Sequence, residues 1–394
     1  MKISSVEAFR IAGSKDYVAA AGLRAPARPK PAGRARALRA NSGRHLCVYP
    51  SQAETTLVKV STDEGVVGIG EAHAPPVASI TRGIVDDLLG PILIGEDPLQ
   101  IEVLWEKMYS SMRLRGHNTG FMLEAIAGVD IALWDLAGKA LGQPIYRLLG
   151  GPFRESIPVY ASGVPGATVE ERVAAVRRFV GQGYGAIKAS VGRGDVDDDL
   201  EVIRILAEAV RGEADLLVDA HGAYDVATAV RAGRLMESWG VYWLEDALCP
   251  EDVSGYAALC QALDLAIAAG ETVCTRYQFR DWLERRAVDV ILPDVCRAGG
   301  ISEGRKIANL ADTYGVPWCA HVSIGSAVHL AAALHLAAAT PNFLICEYPS
   351  TPNPLGDALL RAPLAPVGGQ IRLPEGPGLG IEFDEEALAA HRID

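Results

Sequence analysis

Apolar and polar positions follow two rhythms along this chain. Residues 55–72, TTLVKVSTDEGVVGIGEA, hold two strand-like stretches separated by Asp63-Glu64-Gly65, which predicts a β-hairpin. Amphipathic helical spacing follows over 79–90 and 98–112. From about residue 125 the texture changes, and short runs rich in Val, Ile and Leu alternate with helical stretches. These runs are SIPVYAS (156–162), AIKAS (186–190), DLLVDA (215–220), VYWLED (241–246), LAIAAGE (265–271), VDVILPD (288–294), VPWCAH (316–321) and NFLICE (342–347). Eight such runs with helices between them predict parallel strands covered on both faces, and eight parallel βα units close into a (β/α)8 barrel. An open doubly wound sheet is the alternative. Its Gly-rich phosphate turn after the first strand has no counterpart here. The Gly- and Pro-rich tail, 357–384, is expected to return to the N-terminal region.

The polar residues ending these runs are in phase: Lys188, Asp219, Glu245, Glu271, Asp294, His321 and Glu347. From Asp219 onward the steps are 26, 26, 23, 27 and 26 residues, each about one βα unit. In a barrel, the C-terminal ends of successive strands converge on one mouth. A single carboxylate after a strand is commonly a helix cap, but capping does not explain seven ionisable residues in phase. Three carboxylates from consecutive strands, Asp219, Glu245 and Glu271, repel one another unless a cation compensates. An all-oxygen set suits a hard divalent ion such as Mg2+. Asp294 and His321, from adjacent strands, read as an orienting acid and a general base.

Composition narrows the classes further. The 394 residues are 49% hydrophobic and 22% charged, with 37 Lys and Arg against 49 Asp and Glu, a formal charge of −12. That is a globular chain with ample core material and a poor partner for nucleic acid. Seven scattered cysteines without zinc-like spacing read as reduced thiols of a cytoplasmic protein. MKISSVEAFRIAG lacks the apolar core of a signal peptide. Val316 to Cys346 contains no Lys, Arg, Asp or Glu, but it is broken by His321, Ser323, Gly325, Ser326, His329, His335, Pro341 and Asn342. It reads as a buried strand, helix and strand, with no membrane partner.

Three segments, AGVDIALWDLAGKALGQPIYRLLGG (127–151), VDVILPDVCRAGGISEGRKIA (288–308) and PEGPGLGIEFD (374–384), together with the strand-end residues, resemble the enolase superfamily and within it the mandelate racemase-like group. The resemblance covers nearly the whole chain. It implies a modified (β/α)8 TIM barrel (126–354) under an α+β capping domain formed from both termini (1–125 and 355–394). It implies one essential Mg2+ on Asp219, Glu245 and Glu271, with Asp294–His321 as the general-base dyad. Glu347 is implied to bond the substrate carboxylate or enolate oxygen. A small carboxylate substrate and a homo-oligomer between dimer and octamer are also implied.

Two departures from the mandelate racemase pattern are informative. Where that group carries Lys-x-Lys, this chain reads Lys188-Ala189-Ser190. A neutral hydroxyl does not replace the second amine as a base, so two-base racemisation is demoted. Lys188 is left as an electrostatic partner of the substrate carboxylate, with Ser190 beside it. Where Asp-x-Asn is common, this chain reads Asp219-Ala220-His221. That resembles the acid sugar dehydratases, in which this His is the general acid for the departing hydroxyl.

A basic segment, 22–45, holds Arg24, Arg28, Lys30, Arg34, Arg36, Arg39 and Arg44 with no Asp or Glu. In the resembled family this region is the mobile loop (about 14–50) that closes over the mouth. Arg24, His45 and His73 are therefore expected to contact substrate, and the loop's charge favours an aldarate over an aldonate. These readings converge on a Mg2+-dependent acid sugar dehydratase giving a 2-keto-3-deoxy acid. The alternatives are a sugar-lactone cycloisomerase, a racemase or epimerase, and an inactive metal-binding scaffold. A muconate-type cycloisomerase is disfavoured because Lys306 lies within a helix, not at the sixth strand's end.

Overall fold

The computed structural model describes residues 1–13, 53–75, 77–351 and 353–394. The basic segment with Arg24 and His45 lies outside the described residues, as does Cys47. Strands β1 (Ile3–Ala12), β2 (Glu54–Thr62) and β3 (Val67–Ala72) form an antiparallel sheet in that order. The predicted hairpin is β2–β3, with Val58 opposite Gly70 and Gly65 supplying positive φ at the turn. Helices α1 (Ala78–Ile84), α2 (Gly90–Leu93) and α3 (Ile101–Arg113) follow.

The sheet lies against α4 (Phe121–Leu141), a helix buried around most of its circumference. Close approach dictates two glycines: a Cβ built at Gly68 would overlap the Ala132 carbonyl, and one at Gly70 the Gly128 carbonyl. Two buried acids of α4 fasten it in place. Asp135 accepts from Ile69 N at 2.8 Å and Leu379 N at 2.9 Å. Asp130 accepts from Ser302 N at 2.9 Å and Ser302 Oγ at 2.6 Å.

After α5 (Ile145–Leu148) the eight predicted runs become β4 (Ser156–Ser162), β5 (Ala186–Ser190), β6 (Asp215–Asp219), β7 (Trp243–Glu245), β8 (Ala266–Ala269), β9 (Val290–Ile291), β10 (Trp318–Ala320) and β11 (Phe343–Pro349). All are parallel, and β11 closes on β4 with Glu347 opposite Tyr160. Seven helices alternate with them: α6 (Val169–Gly181), α7 (Val196–Val210), α8 (Val226–Trp239), α9 (Val253–Ala262), α10 (Thr275–Glu284), α11 (Gly300–Thr313) and α12 (Ala327–Ala338). This is a closed barrel beside a separate N-terminal capping sheet.

Tyr160, Ala186, Leu217, Trp243, Ala268, Val290, Leu292 and Cys319 fill the barrel interior. Contact between Tyr160 and Trp243, on strands three apart, crosses that interior. Side chains two residues apart on a strand share a face. Ala186, Leu217, Trp243, Leu292 and Cys319 therefore set Lys188, Asp219, Glu245, Asp294 and His321 above this plug, toward the mouth. Glu271 is reached differently: β8 ends at Ala269, and Gly270 at φ +133 resets the direction.

The tail first adds β12 (Gln370–Arg372) antiparallel to β4. After α13 (Glu385–His391), Ile393 N donates to Arg10 O of β1 at 3.0 Å. The six described cysteines are free thiols. Among the described residues no helix is long and apolar enough to cross a membrane.

Candidate active site

At the barrel mouth the ammonium of Lys188 (β5) lies 2.6 Å from Glu245 Oε1, 3.1 Å from Glu347 Oε1 and 3.8 Å from Asp219 Oδ2. Four predicted residues from four strands thus surround one point, and all are buried. Burial alone would strip the Lys188 proton, but Glu245, Glu347 and Asp219 outweigh it and hold the group well above an ordinary lysine. Glu347 accepts from Ser162 Oγ at 2.5 Å and Val322 N at 2.9 Å.

Asp294 and His321 sit beyond the regular ladder, three residues past β9 and one past β10, and pair with each other as an isolated parallel bridge. His321 Nδ1 is 2.8 Å from Asp294 Oδ2, while Nε2 is 3.0 Å from Glu271 Oε2 and 3.5 Å from Glu347 Oε2. Burial opposes the imidazolium, yet Glu271, Glu347 and Asp294 hold its pKa well above that of a free histidine. Glu271 is correspondingly lowered despite its burial.

The mouth carries more negative than positive charge. Burial, then Asp219 and Glu347, push the Glu245 carboxyl up to about 8 against the pull of Lys188. Asp246 is pushed well up by burial and then by Glu271, Asp219 and Glu245. Six acids, Asp219, Glu245, Asp246, Glu271, Asp294 and Glu347, against Lys188, His321 and Arg297 are the donor chemistry of a hard divalent cation, so Asp219, Glu245 and Glu271 fit that role. They are not drawn into a tight cage here. Among the described residues, the groups with three ligand atoms within 4.8 Å of one another are Glu71, His73 and His329, and Asp294, Cys296 and His329. The first of these is close enough to hold a metal ion, but the Glu71 carboxylate already accepts from Thr55 Oγ1, Ser326 N, Ser326 Oγ and His329 N.

Other predicted residues fall variously. A strand continued past Asp219 would carry His221 to the mouth on Asp219's side. The strand ends at Asp219, however, and His221 is reached through a turn at φ +48, its N–H donating to Asp219 Oδ1 at 2.9 Å. Its ring is exposed and electrostatically coupled to Glu271 and Asp246. Ser190 is exposed at the end of β5, opposite Asp219. His73, expected on a loop facing substrate, is fully buried against Thr55, Glu71 and His329, because it directly follows the last strand of the capping sheet.

Sequence reasoning passed over Asp246, Glu71, His329 and Arg297. Asp246 directly follows a predicted ligand, which was the available signal. Arg297 lies 3.5 Å from Glu124 on α4, whose carboxyl burial pushes up to about 7.

Residues 45–150 match the mandelate racemase/muconate lactonizing enzyme N-terminal domain, and residues 171–387 the enolase C-terminal domain-like family. A D-galactarolactone cycloisomerase of Agrobacterium fabrum is 39% identical over 351 residues, spanning 86% of this chain and 91% of that protein. A D-xylonate dehydratase of Haloferax volcanii is 36% identical over 361 residues, spanning 86% and 85%. The crystal structure of the 3,6-anhydro-D-galactonate cycloisomerase from Zobellia galactanivorans superposes with a TM-score of 0.84 at 29% identity, covering all of both chains. With these matches over both the capping and barrel regions, the chain is an enzyme of the enolase superfamily and belongs to its mandelate racemase/muconate lactonizing enzyme family.

Proposed function

We propose that this enzyme dehydrates an acid sugar, an aldarate or aldonate, to a 2-keto-3-deoxy acid. The observation that carries the reading is the placement of His321: Asp294 holds Nδ1, and Nε2 faces the acids of the mouth. A divalent cation, Mg2+ in this reading, would be held by Asp219, Glu245 and Glu271, and when bound it supplies positive charge beside the substrate carboxylate. His321 Nε2 takes the proton from the carbon α to that carboxylate. Asp294 keeps the imidazole in one tautomer and stabilises the imidazolium that forms. The Lys188 ammonium faces the enediolate oxygens, and Glu347, fixed by Ser162 and Val322 N, bonds one of them. The C–O bond to the β-hydroxyl then breaks. His221 donates the proton that lets the oxygen leave as water, and the resulting enol tautomerises to the ketone.

In this reading Ser190, Arg24 and His45 are further substrate contacts. The division into cap (1–125), barrel (126–354) and closing segment (355–394) accompanies it, as does a cytoplasmic homo-oligomer.

A second reading, ring opening of a sugar lactone by the same base, is favoured by the 39% identical relative named a D-galactarolactone cycloisomerase. Its leaving group is a carboxylate and needs no strong acid. The test is a screen of mono- and diacid sugars and their lactones with Mg2+, scoring 2-keto acid. His321→Asn should abolish turnover, and unchanged turnover would refute the mechanism. His221→Asn should cost about 10²–10⁴-fold if water is eliminated and little if a lactone is opened.

A further inference from the structure

Behind the dyad lies a second buried imidazole. Asp294 gives Oδ2 to His321, and its Oδ1 accepts from Cys296 N at 2.8 Å and lies 3.0 Å from His329 Nε2. That last contact is a close polar one between two fully buried groups, off the line of an ideal hydrogen bond.

His329 is placed from the capping sheet. It lies in the first turn of α12, where its N–H donates to Glu71 Oε2 at 3.1 Å. Glu71 also accepts from Ser326 N at 2.9 Å and Ser326 Oγ at 2.6 Å, and from Thr55 Oγ1 on β2 at 2.8 Å. His73 lies with its ring centroid 5.4 Å from that of His329. Gly325 makes the room, since a Cβ there would collide with His329 Nδ1.

We propose that His329 is a positioning residue for the Asp294–His321 base, and that Glu71 and His73 carry this support from the capping sheet to the back of the barrel mouth. The proposal rests on the dyad reading above. A carboxylate held at one oxygen can rotate away from the imidazole it orients. Held also at the other, by Cys296 N and His329, it keeps its Oδ2 on His321 Nδ1. No solvent reaches this wall to substitute for a lost contact. Burial would strip the His329 proton, but Asp294 outweighs it, whereas burial keeps His73 lowered.

The test uses the full chain with Mg2+ and the acid sugar it turns over. His329→Leu should lower kcat about 10–100-fold, the range for lost orienting partners, with KM within about twofold. Exchange of the α-proton with D2O should fall in parallel. His329→Gln, which keeps a donor near Nε2, should recover most of the loss. Gly325→Ala, which displaces the ring without removing it, should give the same kcat-selective defect and serves if the Leu variant does not fold. A His329→Leu enzyme with kcat within twofold of wild type, or a loss that Gln does not mend, overturns the proposal. His321→Asn separates the two readings. If it is inactive while His329→Leu is normal, only the positioning role fails; if it is active, the base assignment fails with it.

Discussion

Two sets of buried carboxylates in this molecule have opposite surroundings. Asp130, Asp135 and Glu71 serve the cap–barrel junction, and each is met by enough donors to satisfy it: Ser302 for Asp130, Ile69 N, Leu379 N and the Lys139 ammonium for Asp135, Ser326 and Thr55 for Glu71. Asp219, Glu245 and Glu271 at the mouth instead face Lys188, His321 and one another. Fully bonded acids fix geometry, whereas acids with excess charge and unfilled lone pairs are arranged for a ligand. In the proposed mechanism the same residue type thus does structural work at one place and chemistry at the other, and the partner set distinguishes them.

The sharpest break of this comparison exchanges one acid from each set. Glu245→Gln should weaken divalent-cation binding, measured by calorimetry, by at least about 10–100-fold and abolish turnover. Glu71→Gln should leave cation affinity intact and instead cost about 1–3 kcal/mol of unfolding free energy. Loss of cation binding in the Glu71 variant would move the metal to the cap side.

A finer test uses pH. Burial pushes the Asp130 carboxyl up to about 7 against the Ser302 donors. Its folded value lies above the unfolded one (~4), so the fold favours the neutral form. That contribution is full below about pH 4 and is lost as pH rises toward 7. Urea unfolding of wild type minus Asp130→Asn should decline over that window and flatten above it. A flat difference would mean Asp130 is ionised throughout. The smallest effect is expected at the tail. Asp394 pairs with Arg10 and Arg82 at the surface, so Asp394→Asn should cost under about 1 kcal/mol by the same measurement.

What could be read from the chain beforehand divides along physical lines. Lys188, Asp219, Glu245, Asp294 and His321 follow apolar strands by simple alternation, which a linear pattern records. Glu271 also ends its run in phase, although its direction depends on Gly270. His221 stands out in the sequence beside Asp219, but its placement comes from a left-handed turn that alternation does not describe. Glu71 and His329 are 258 residues apart and meet only because the hairpin docks on the first turn of α12. Neither carries a local signal, since an acid after a strand and a histidine in an apolar helix are ordinary. His73 looked like a loop residue because nothing in the chain announces that the wall behind it is closed.

The pairing of Arg10 with Asp394 spans 384 positions. During synthesis the first strand therefore emerges long before the segment that covers its edge, and β4 likewise precedes β12 by some two hundred residues. Until those later segments are made, both edges are open to other strands.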